Sequence, residues 1–345
     1  MSARPETANA LYAIGPGCIA CGACALLAPR VFVVNGGSCK VVRQPQEAPE
    51  GLLVDVALLN CPTSAISRRA QGNRETGKDV STSNHGSLYA TLAEVSEQVR
   101  WGLPDIDWSA LRPELASDPV RALVRRMAFS EHTTFSATQK FMQVFATDVA
   151  FTQWLAVWFY EETRHPHVLG EWLRRLGEPV DDGFVLKGRV STPFMKSLTG
   201  TLVTNVISEV AAAHAYQVMA STVAEPVLAA LARNICGDEA RHASAFFQFA
   251  RRRIERAAQP ERERLDAIKV LHFWLNQPAQ VTHPIGEMIA GPITLSFDFD
   301  QIRRRVTRMV GLLVGLPLRT AEDVANHLRL LTARVHAEHR ASHGQ

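Results

Sequence analysis

The chain has 345 residues, 46% hydrophobic and 21% charged, enough apolar material for about two domains with real cores. That balance excludes a disordered chain, a collagen-like repeat and a disulfide-stapled miniprotein. Lys+Arg 37 against Asp+Glu 34 leaves a net charge of +3, too weak for a general nucleic-acid platform. Of the 6 cysteines, Cys18, Cys21, Cys24, Cys39 and Cys61 crowd one end, and only Cys236 lies beyond them.

The N-terminus lacks the basic-then-apolar layout of a secretory signal, and no uninterrupted apolar run is long enough for a membrane span. A reducing cytoplasm is therefore expected, with no membrane association, and the cysteines read as metal ligands rather than disulfides. Short β-type runs at Val31–Val34 and Lys40–Val42 flank Asn35-Gly36-Gly37 and predict a small hairpin. Residues 67–87 are polar and Gly/Ser/Asn-rich, the composition of a flexible linker. From Tyr89 onward apolar residues recur at helical spacing, punctuated by Pro and Gly. The expected organisation is a small α+β domain over 1–66, a linker over 67–87 and an all-α domain over 88–345.

Cys18, Cys21 and Cys24 are followed, after 36 intervening residues, by Cys61-Pro62. Thiolates at i, i+3 and i+6 can wrap one face of a compact inorganic cluster, and a remote fourth closes the site. Zinc also accepts four thiolates, but its sites usually pair one C-x2-C with another, and Cys61 has no such mate. The run resembles a bacterial-type ferredoxin. Two-cluster members place a further Cys-Pro where this chain has Ala28-Pro29, so the resemblance is to single-cluster ferredoxins. It implies one [4Fe–4S] cluster on Cys18, Cys21, Cys24 and Cys61, and one-electron transfer. Cys39 stands beside the turn signal, away from the motif, and is read as a spare thiol.

Glu161-Glu162-Thr163-Arg164-His165 and Asp238-Glu239-Ala240-Arg241-His242 repeat one pattern. In each, Glu-x-x-His puts a carboxylate and an imidazole on the same helix face. Those faces are apolar: Leu155, Trp158 and Leu169 accompany Glu162, while Ile235, Phe246 and Phe249 accompany Glu239. Glu131 and Glu209 lie on apolar faces as well. Burying such carboxylates is costly unless they are paired or bind metal. The order is Glu131, Glu162-x-x-His165, Glu209, Glu239-x-x-His242. It suits two helix hairpins, each delivering one Glu and one Glu-x-x-His. Four carboxylates and two imidazoles are the ligand set of a di-iron or di-manganese bundle.

The doubled pentamer resembles the acyl-carrier-protein desaturases, which carry Glu-Glu-x-Arg-His and Asp-Glu-x-Arg-His on the second and fourth bundle helices. The resemblance implies Glu162 and Glu239 as bridging ligands, Glu131 and Glu209 as terminal ones, and one iron each for His165 and His242. It also implies that Glu161 and Asp238 orient the ligand histidine of the opposite helix, with Arg164 and Arg241 balancing their charge. Three departures stand out: Ala212 replaces a Thr associated with O2 handling, Pro166 replaces a Gly, and Ile235 stands where amine N-oxygenases add a His ligand. His214 lies about 140° around the helix from Glu209 and is not read as a ligand.

The fold class expected is thus multi-domain: a small α+β ferredoxin-like domain, then an all-α ferritin-like four-helix bundle with additional helices. The function implied is an O2-dependent non-haem di-iron oxidoreductase supplied with electrons by its own ferredoxin. It would desaturate or hydroxylate an acyl-type or other small organic substrate, using one [4Fe–4S] cluster, two Fe (or Mn) ions and O2. A di-iron N-oxygenase and a rubrerythrin-like peroxide reductase are the alternatives. Expected partners are a ferredoxin reductase or other electron donor, with an acyl carrier protein and a second copy of the chain as candidates. Basic stretches at Arg251–Arg253 with Arg256, and Arg303–Arg305 with Arg308, are available to an acidic carrier, though neighbouring acids dilute both.

Overall fold

The computed structural model describes residues 11–18, 20–35, 38–68, 88–190, 195–276 and 298–343. Two two-stranded antiparallel sheets organise the N-terminal unit. β1 (Tyr12–Ile14) pairs with β4 (Ile66–Arg68), Ile14 opposite Ile66. β2 (Phe32–Asn35) pairs with β3 (Ser38–Val41), Phe32 opposite Val41, so the hairpin forms; Gly36 and Gly37 of its turn lie outside the described residues. β4 runs to Arg68, two residues beyond the boundary drawn from composition, because its partner β1 fixes its length. The rest of the expected linker, 69–87, lies outside the described residues.

Two helices complete this unit. α1 (Ala23–Leu27) is wholly buried and starts at Gly22, whose φ of +79° is left-handed. A Cβ at Gly22 would also crowd Val99 and Val95, at 3.1 and 3.2 Å. α2 (Ala48–Asn60) has a proline in its first turn and ends at Cys61, where Pro62 cannot continue the ladder.

The remainder is helical. α3 (Leu88–Gln98) leads through three short 3-10 turns between Leu103 and Leu115 to α4 (Asp118–Glu131) and α5 (Thr134–Val144). α6 (Val149–Arg175), α7 (Asp182–Gly188), α8 (Leu198–Thr222) and α9 (Pro226–Arg256) follow. α10 (Pro260–Asn276), α11 (Phe299–Val314) and α12 (Ala321–His343) close the fold. The bundle proper is α4 with α5, α6, α8 and α9. Side-chain caps set three starts: Asp148 accepts from the Phe151 amide, Ser197 from Gly200, and Glu225 from Val227 and Leu228. α8 is apolar nearly all round because α9, α10 and α11 enclose it.

The first expected hairpin is not a plain pair of helices. Glu131 is the last residue of α4, and the chain breaks at His132–Thr133 before α5 begins. Thr133 turns its hydroxyl onto the Ser130 carbonyl at 2.8 Å, the local competition that interrupts a helix. α6 instead stays continuous through Pro166, which has no amide to offer the Glu162 carbonyl. One end of the bundle is filled by edge-to-face aromatics, with Trp154–Phe246 and Phe151–Phe249 centroids both 5.0 Å apart. A second apolar cluster around Trp172, Leu228 and Tyr216 fills the other, and the carboxylates and histidines lie between them. Among the described residues no helix is long and apolar enough to cross a membrane.

Candidate metal centres

All six expected ligands of the bundle come together, each buried, from four separate helices. Glu131 closes α4, Glu162 and His165 lie one turn apart on α6, Glu209 is mid-α8, and Glu239 and His242 lie one turn apart on α9. They form two groups sharing Glu162: Glu131, Glu162 and His165, then Glu162, Glu209, Glu239 and His242. Both imidazoles turn Nδ1 inward. Glu239 addresses both of them, with Oε1 3.5 Å from His165 Nδ1 and Oε2 3.4 Å from His242 Nδ1. Glu162 Oε1 lies 2.9 Å from His242 Nδ1, Glu131 falls beside His165 and Glu209 beside His242.

The outward nitrogens are held crosswise between α6 and α9. His165 Nε2 meets Asp238 Oδ2 at 3.1 Å, and His242 Nε2 meets Glu161 Oε2 at 2.9 Å. Arg164 donates to Asp238 at 3.2 Å, and Arg241 donates to both Asp238 and Glu161. With each Nε2–H engaged by an acid, Nδ1 is left as the free ligand nitrogen. Glu162 Oε1, His165 Nδ1, Glu239 Oε2 and His242 Nδ1 are buried without a hydrogen-bond partner among the described residues. Converging unpaired acceptors of this kind fit divalent metal ions bound by oxygen and imidazole.

The cysteines are equally convergent. Cys18, Cys21, Cys24 and Cys61 line one small cavity, and all are free thiols. Backbone amides point at two of the sulfurs, Ala65 N–H to Cys61 at 3.2 Å and Ala20 N–H to Cys18 at 3.4 Å. Such bonds stabilise sulfur that carries negative charge, as cluster-bound thiolate does. Cys39 needs correction. It is not away from the motif but lines the same cavity, with its sulfur 3.2 Å from that of Cys24, because hairpin pairing folds β3 back over α1.

Residues 16–68 match the family model of the 4Fe-4S single cluster domain of ferredoxin I, and residues 128–285 match the fatty acid desaturase model. The chain carries a single-cluster ferredoxin domain followed by a fatty acid desaturase domain. It is an oxidoreductase. No curated protein and no solved structure matches it significantly. The first match covers all four motif cysteines, and the second covers Glu131 through His242.

Electrostatics in the desaturase domain follow from crowding acids in a dry interior. Burial and the neighbouring Glu162 push Glu209 up to about 7, and burial with Glu162 and Glu209 raises Glu239 well above the carboxylate range. Burial alone would lower the histidines, but Asp238 and Glu131 raise His165 to about 10, and Glu161 and Glu162 raise His242 to about 9. Asp238 resists its own burial because Arg241, His165 and Arg164 hold it below the usual range. The metal-free cluster of acids thus shares protons that a bound metal displaces.

Three further residues touch these groups, and sequence reasoning did not assign them. Tyr216 donates its hydroxyl to Glu131, Thr134 donates to Glu162 Oε2 at 3.0 Å, and Trp101 Nε1 donates to both oxygens of Asp238. Tyr216 shares the helix face of Glu209, a signal that was present; Trp101 precedes the bundle in irregular chain and carried none. His214 is buried but lies outside both ligand groups. The basic stretches are largely neutralised: Arg251 by Glu255, Arg252 by Asp148, Arg253 by Glu263 and Arg304 by Asp298.

A cleft of about 380 Å³ runs between the α4–α5 junction, α6 and α7 and reaches Glu131 and Thr134. Its walls combine Phe135, Phe159 and Pro166 with Arg189 and the Arg174–Glu171 ion pair, apolar surface beside charged groups.

Proposed function

We propose that this chain is an O2-dependent di-iron oxidoreductase that removes hydrogen from, or hydroxylates, an acyl-type substrate, and that its own ferredoxin domain delivers the electrons. In this reading Glu131, Glu162, His165, Glu209, Glu239 and His242 would hold two iron ions, with Glu131 and His165 on one side of Glu162 and Glu209, Glu239 and His242 on the other. The observation that carries it is Glu239, whose two oxygens address the imidazoles of both Glu-x-x-His motifs. Ions held there supply two-electron activation of O2, which an unactivated C–H bond requires.

The protein's own residues do the remaining work. Asp238 and Glu161 fix the tautomer and aim of each histidine, and Arg164 and Arg241 keep those acids ionised inside a dry core. The packed aromatics Trp158 and Phe246 exclude water from one side, while Tyr216 and Thr134 restrain Glu131 and Glu162. The cleft ending at Glu131 is the access route: apolar walls suit an alkyl chain, and Arg189 suits an acidic head or carrier group, whereas Arg174 is paired with Glu171. Cys18, Cys21, Cys24 and Cys61 hold the [4Fe–4S] cluster, re-reduced by an external reductase.

The test is anaerobic reduction of the iron-loaded protein followed by O2, with acyl-carrier substrates read by mass spectrometry. Loss of two hydrogens marks desaturation and gain of one oxygen marks hydroxylation. Turnover of peroxide alone would overturn the reading.

A further inference from the structure

The seam between the two domains is formed chiefly on one helix. On α9, Gly237 lets the backbone approach the cluster loop: a Cβ there would lie 3.1 Å from the Cys21 Cβ. One turn on, the Arg241 side chain donates from Nη1 to the Cys21 carbonyl at 2.8 Å. Its Nη2 donates to Glu161 and Asp238, the acids that hold His242 and His165. Arg241 is 2% exposed, so these bonds are made out of water. Asn60, beside Cys61, fastens the other cluster segment, donating to the Ala240 carbonyl and the Ser244 hydroxyl, both at 2.7 Å. Among the described residues, Arg241 joins a cysteine of the ferredoxin motif to both histidine-holding acids.

We infer that Arg241 is the positioning residue that couples the iron–sulfur loop to the bundle's metal centre, as the hydrogen-bonded bridge along which electrons cross the seam. This rests on the proposed function, since it takes both ligand sets as filled. Each crossing oxidises a reduced cluster by one electron and reduces one ferric ion to ferrous. No bond is made or broken at Arg241, and two crossings require the cluster to be reduced twice by an external low-potential donor. A buried charged bridge suits this role. It links the two sites through polar bonds, and its fixed positive charge favours an added electron at Cys21.

The test uses the full chain with cluster and oxidised di-iron both loaded, under anaerobic conditions. One electron equivalent is added from dithionite, and the decay of the reduced-cluster EPR signal is followed by freeze-quench. Arg241→Lys keeps the charge but cannot span the carbonyl and both acids, and the decay should slow about tenfold or more. Arg241→Met should slow it similarly and move the cluster potential to more negative values. Gly237→Val wedges the seam without removing either acid, and it keeps the proposal testable if Arg241→Met fails to fold. Asn60→Ala, which loosens the seam elsewhere, should stay within twofold of the wild type. Decay within twofold of wild type in both Arg241→Lys and Gly237→Val, or equal slowing in Asn60→Ala, would overturn the role of Arg241 alone. A wild-type signal that persists although both centres are full would overturn the electron-supply reading, and the bridge with it.

Discussion

The two metal-binding regions solve the same problem in opposite ways. In the ferredoxin domain three of the four proposed ligands fall within seven consecutive residues, and backbone amides two and four residues on support the sulfurs of Cys18 and Cys61. In the desaturase domain the six proposed ligands arrive from four helices across more than a hundred residues, and both histidines depend on an acid from the opposite helix. A thiol is neutral when metal is absent, so a cysteine cluster costs little to bury empty. Four carboxylates are not, and they persist in the core only because imidazolium, guanidinium and shared protons offset them. The first region is therefore local and tolerant, the second collective and strict.

The sharpest way to break this contrast is reciprocal substitution. Glu239→Ala removes the carboxylate that faces both histidines and should abolish di-iron binding while the cluster stays at wild-type content. Cys61→Ala should do the reverse. Iron quantification with Mössbauer spectroscopy reads both, and loss of both centres in either variant would show that the two regions are not independent.

Next in size is the response of the metal-free protein to pH. Folding raises His165 from 6.5 to about 10 and His242 from 6.5 to about 9, so their stabilisation is complete below about pH 6.5 and is lost as pH climbs through 9–10. Glu209, raised from 4.5 to about 7, holds a proton that the unfolded chain does not, which also favours the folded state at lower pH. The melting temperature of the metal-free chain should therefore fall steadily between pH 6 and 10. Iron loading releases protons and should flatten the trend. A metal-free melting temperature that rises over this range would contradict the assigned protonation.

The smallest effect belongs to Tyr216→Phe. It deletes one hydroxyl donor to Glu131 and should cost about 1 kcal/mol in urea unfolding of the metal-free chain. Iron stoichiometry should be preserved, because the carboxylate itself is untouched.

Legibility in the sequence followed the same division. The cysteine motif could be read from spacing alone, and so could the two Glu-x-x-His pairs, since i and i+3 share a helix face whatever the fold. Glu131 was visible only as a carboxylate on an apolar face, and the helix break beside it at His132–Thr133 was not anticipated. Cys39 was misplaced because its position depends on strand register: one hairpin brings it against Cys24, fifteen residues earlier.

By itself, the sequence determined which residues can bind metal and on which face of each element they lie, because side-chain chemistry and helical periodicity are local properties. Tertiary structure alone decided that Glu239 also faces the distant His165, that Asp238 and Glu161 cross to the opposite helix, and that Arg241 touches Cys21. These contacts join residues 73 to 220 positions apart. Their existence depends on how helices and domains pack to exclude water, and no local pattern encodes that.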